Sequence, residues 1–132
     1  MSEIKDEIRN GRIINKEVVT VAAEELAKKR NEKLTKEMMH IAVDSEFERK
    51  NALLNLQRNR DEEDPIKACL KAKEANEIAV KEGKMTPEEF RKANRKANDE
   101  KDKALRSISD EYYTLRNQLQ KQCYDVLNDW DD

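Results

Sequence analysis

Thr86-Pro87-Glu88-Glu89-Phe90 opens the stretch that decides the fold, and that stretch runs on to Trp130. Thr86 is a natural N-cap, Pro87 suits the first helical position, and Glu89 is placed to close a capping box. Met85 and Phe90 stand where a hydrophobic staple would put them. After Pro87 neither Gly nor Pro occurs again. Apolar residues recur at Phe90, Ala93, Ala97, Ala104, Ile108, Tyr112, Leu115, Leu119, Cys123, Val126 and Trp130, with Lys101 in the one polar gap. The steps are threes and fours and average about 3.64 residues per turn, the period of a nearly straight helix. One helix over 87–130, about 65 Å long, is the expectation.

Going backward from Thr86, Gly83 is a natural helix stop. Asp64-Pro65 supplies an N-cap and first-turn proline, so a shorter helix is expected over 65–82. Its Ala68, Ala72, Ala75 and Ala79 form a small-residue stripe that lets a neighbouring helix approach closely. The short connection over 83–86 then makes 65–82 and 87–130 an antiparallel hairpin. Further back, Asn15 is a plausible N-cap for a long helix over about 16–63. Its stripe includes Val19, Ala22, Ala23, Leu26, Leu34, Met38, Ile41, Ala42, Leu53 and Leu56. Two features interrupt it. Lys28 to Lys33 is a fully polar run, and Ser45-Glu46-Phe47-Glu48 has the pattern of a capping box; the expected helix is continuous or gently kinked near 45, with a break there as the alternative.

Residues 1–14 read as an N-terminal arm or short helix. Ser2 caps it, Ile4 and Ile8 are its apolar face, and Asn10-Gly11 stops it, with Arg12-Ile13-Ile14 as connector. The arm either packs on the main body or docks on a neighbouring subunit. Residues 15–132 read as a single helical domain. The expected fold is therefore all-α: an elongated antiparallel helical bundle or hairpin with two long helices (16–63 and 87–130) and a shorter one (65–82).

Composition agrees. Of 132 residues 36% are hydrophobic and 42% charged, with 2 Gly and 2 Pro, proportions suited to long helices with much solvated face. A formal net charge of −2 gives no global attraction to nucleic acid or anionic membrane. Cys69 and Cys123 belong to no recognisable motif and read as reduced, buried thiols of a reducing compartment. No signal-peptide core or membrane-length apolar run is present, so a cytoplasmic protein, or one inside a particle assembled there, is expected.

The lengths carry the functional expectation. If each turn reverses direction, the long helices overlap only across the short middle one. The stripes around Val19–Leu26 and Ile108–Trp130 then lack partners in their own chain, and an exposed apolar stripe of that length is an interaction surface. The expected contact residues are Ile108, Tyr112, Leu115, Leu119, Tyr124, Val126, Leu127 and Trp130. A fold-back at Ser45 would instead bring 16–43 along the last helix and close a four-helix bundle.

Chemistry is sparse. Glu37 and His40 form a Glu-x-x-His pair of the kind di-iron carboxylate bundles use, but one chain supplies one such pair. Glu111 is a conceivable further ligand. A dimer joined through these residues is the metal-binding alternative, and no cofactor is otherwise expected. No nucleophile has a local partner and no glycine-rich phosphate loop is present, so an enzyme with a small-molecule substrate is not expected. Arg91, Lys92, Arg95, Lys96, Lys101 and Lys103 could neutralise phosphates without reading sequence, which makes nucleic acid an alternative partner. The reading that fits best is a non-enzymatic structural or assembly protein. It would bind copies of itself or subunits of a larger complex, such as a phage virion or its assembly scaffold.

Overall fold

The capping box at Thr86 forms as its sequence requires. In the computed structural model, which describes residues 3–11 and 13–129, the Glu89 amide donates to Thr86 Oγ1 at 3.1 Å. The Thr86 amide in turn donates to Glu89 Oε1 at 3.0 Å. That bond, with the Thr86 hydroxyl second, holds the Glu89 carboxyl below its usual range. Four helices are present among the described residues: α1 (Glu3–Arg9), α2 (Lys16–Lys29), α3 (Lys36–Lys81) and α4 (Pro87–Asp129). Of the described residues 87% are helical, no strand occurs among them, and α3 and α4 pack against each other. The turn between them is set by Gly83. Its φ of 74° is left-handed, and the Lys84 amide reaches back to the Ala79 carbonyl at 2.8 Å, which closes α3 in a Schellman motif.

The expected helix over 16–63 is two helices, and the break falls at 30–35, not at 45. Asn15 caps α2 as anticipated, its Oδ1 accepting from the Glu17 and Val18 amides. The helix ends because Asn31 adopts a left-handed φ of 54° and the Glu32 amide turns back to the Ala27 carbonyl at 2.9 Å. Asparagine tolerates this conformation better than most residues with a side chain. Thr35 then caps α3, its Oγ1 accepting from the Met38 amide at 3.3 Å. Ser45 lies inside α3, without a break.

The second correction concerns Pro65. It starts no new helix but sits inside α3, which runs unbroken from Lys36 to Lys81. The ring removes one helical hydrogen bond, a cost of about 3 kcal/mol. The helix continues because side chains on both sides of the proline keep one packing line. Glu62, Pro65, Cys69, Ala72, Asn76 and Ala79 are all buried or half-buried.

The chain divides into two compact units, 1–57 with 112–132, and 58–111. The first holds most of the core: Ile8, Ile13, Ile14, Val19, Ala23, Met38, Met39, Val43, Leu54, Tyr112, Leu115 and Leu119 are buried there, among others. α1 belongs to this unit. Ile8 is buried, the Gln122 side chain donates to its carbonyl at 2.7 Å, and Lys5 Nζ lies 4.9 Å from the centre of the Tyr112 ring. The second unit is a two-helix segment. Its only buried apolar residues among those described are Cys69 and Ala97, both small.

Candidate interaction surface

Each stripe position of α4 from Phe90 to Val126 is buried or half-buried, Lys101 included. For function this has an unexpected consequence. Tyr112, Leu115, Leu119, Val126 and Leu127 are buried within the chain's own first unit, to which α1, α2 and the N-terminal part of α3 also belong. The expectation of an unpartnered stripe there is corrected: the break at 30–35 allows the fold-back that a break at 45 was expected to allow. Ile108 is half-buried and Tyr124 is 59% exposed. Ser2, Arg12 and Trp130, with the roles expected of them, lie outside the described residues.

Exposed apolar area lies elsewhere. In the second unit Ile66, Leu70 and Ile78 are 42%, 55% and 55% exposed. Leu53 and Leu56, expected in the core stripe of α3, are exposed in the first unit, and Met39, Val43 and Leu54 take their place inside. The sequence reading followed the alanines of α3 and passed over Ile66 and Leu70. The available signal was the four-residue spacing of two branched side chains beside the seam.

Contacts across the seam of the second unit fix its two sides. Asn76 Nδ2 donates to Asn94 Oδ1 at 3.0 Å, and Cys69 Sγ donates to Asn98 Oδ1 at 3.6 Å. On the other side an open groove of about 380 Å³ is lined by Asp64, Ala68, Ala72, Glu100, Lys101 and Ala104, among others. The alanine stripe thus serves two purposes, with Ala72 and Ala79 half-buried and Ala68 facing the groove.

The basic residues of α4 are placed as follows. Arg91, Lys92, Arg95, Lys96 and Lys103 are exposed, and Lys101 is half-buried in the groove wall. At 100° per residue the five exposed cations share one broad arc, with Asp99 and Asp102 interspersed on it. Lys92 is already engaged, 3.8 Å from Glu88.

Glu37 and His40 are both exposed on α3, and no group of three or more His, Cys, Asp or Glu able to hold a metal ion exists among the described residues. Both cysteines are free and buried. Burial first, then the carboxylates of Asp44 and Glu46, push the Cys123 thiol up to about 11, so it is neutral and a poor nucleophile at neutral pH. Glu46 is 6% exposed, and the Arg49 guanidinium approaches its Oε1 to 2.6 Å. No helix among the described residues is long and apolar enough to cross a membrane. No protein-family model, curated protein or solved structure matches this chain.

Proposed function

We propose that this chain is a non-enzymatic helical assembly protein. It completes its structure by packing the segment 58–111 against copies of itself or against subunits of a larger complex. One observation carries the reading. Two long helical stretches meet over a seam whose only fully buried apolar residues, among those described, are Cys69 and Ala97, while Ile66, Leu70 and Ile78 stay in water. Helical segments owe most of their stability to the burial of an apolar face. A two-helix segment burying so little gains from a further surface, and exposed branched side chains at helical spacing are what that surface would cover.

Amide hydrogen exchange at sub-micromolar concentration, where self-association is absent, tests this. The segment 58–111 is expected to exchange through local opening, far faster than Met38–Leu54 and Tyr112–Leu127. Protection over 58–111 equal to that of the first unit in a verified monomer would show that no partner is needed, and would remove the reading.

A further inference from the structure

We draw no further inference here: the strongest candidate, the exposed apolar face of α3 at Ile66, Leu70 and Ile78 in the segment 58–111, carries none because nothing in the structure shows what covers it.

Discussion

The Gln122 side-chain amide donates to the Ile8 carbonyl across 2.7 Å, joining α4 to α1 over 114 positions of sequence. The same carbonyl accepts from the Gly11 amide at 3.1 Å, so both bonds meet at the C-terminal end of α1. A short helix cannot hold itself in water, and α1 persists because Ile8 is buried and its end is bonded.

Replacing Gln122 by Ala should cost about 1–2 kcal/mol in urea denaturation. The loss should appear selectively as faster hydrogen exchange in 4–11. A uniform loss across the first unit would mean that Gln122 acts through core packing instead.

Pro65 gives a prediction of opposite sign. An interior proline lacks the donor for the Asp61 carbonyl and crowds it. Pro65→Ala should therefore stabilise the protein by about 1–3 kcal/mol, read as a shift in thermal or denaturant midpoint. Unchanged or reduced stability would show that the ring packs in the seam well enough to offset its backbone cost.

At position 31 the backbone decides. Asn31→Gly should be neutral or slightly stabilising, because glycine takes the left-handed conformation freely. Asn31→Val should cost about 1–2 kcal/mol, because a β-branched side chain meets the following carbonyl there. Equal stability of the two variants by denaturation would place the strain elsewhere.

Cys123 predicts a pH dependence. Its folded-state pKa is raised, so the folded protein holds a proton that the unfolded chain releases. The contribution to stability is present in full below about pH 9 and is lost as pH rises toward 11. Denaturation at several pH values should show a decline in this window that is shallower in Cys123→Ala. Native Cys123 should also react with thiol reagents at pH 8 with about one thiolate in a thousand, slower still for its burial.

The α4 register was legible because α4 places an apolar or small residue on one line at nearly every turn, from Phe90 to Val126. Its cap was legible because Thr86 and Glu89 stand at a spacing that few other arrangements exploit. α3 was harder. Glu46 and Lys50 occupy buried or half-buried positions, which hid the line of Met39, Val43 and Leu54 and made Leu53 and Leu56 look like core. The break at 30–35 left a trace in the polar run Lys28–Lys33, but its cause, one asparagine in a left-handed conformation, has no strong signature. Asp64-Pro65 misled for the reverse reason: a strong local signal was overruled by packing on both sides of it. The candidate interaction face was missed because it depends on which side of the hairpin each residue faces, and that followed only from the Cys69–Asn98 and Asn76–Asn94 contacts.

The seam of the second unit runs through α3 at Glu62, Pro65, Cys69, Ala72, Asn76 and Ala79, in steps of three and four, and α4 answers with Phe90, Asn94, Ala97, Lys101, Ala104 and Ile108. A pattern repeating every seven residues has the property of a ruled scale. Removing or adding one heptad in each helix changes the hairpin by about 10 Å and returns every remaining side chain to its former face. The first unit, with its own core, would not register the change. Length along this stretch is therefore a free variable of the design, set by whatever the hairpin must span.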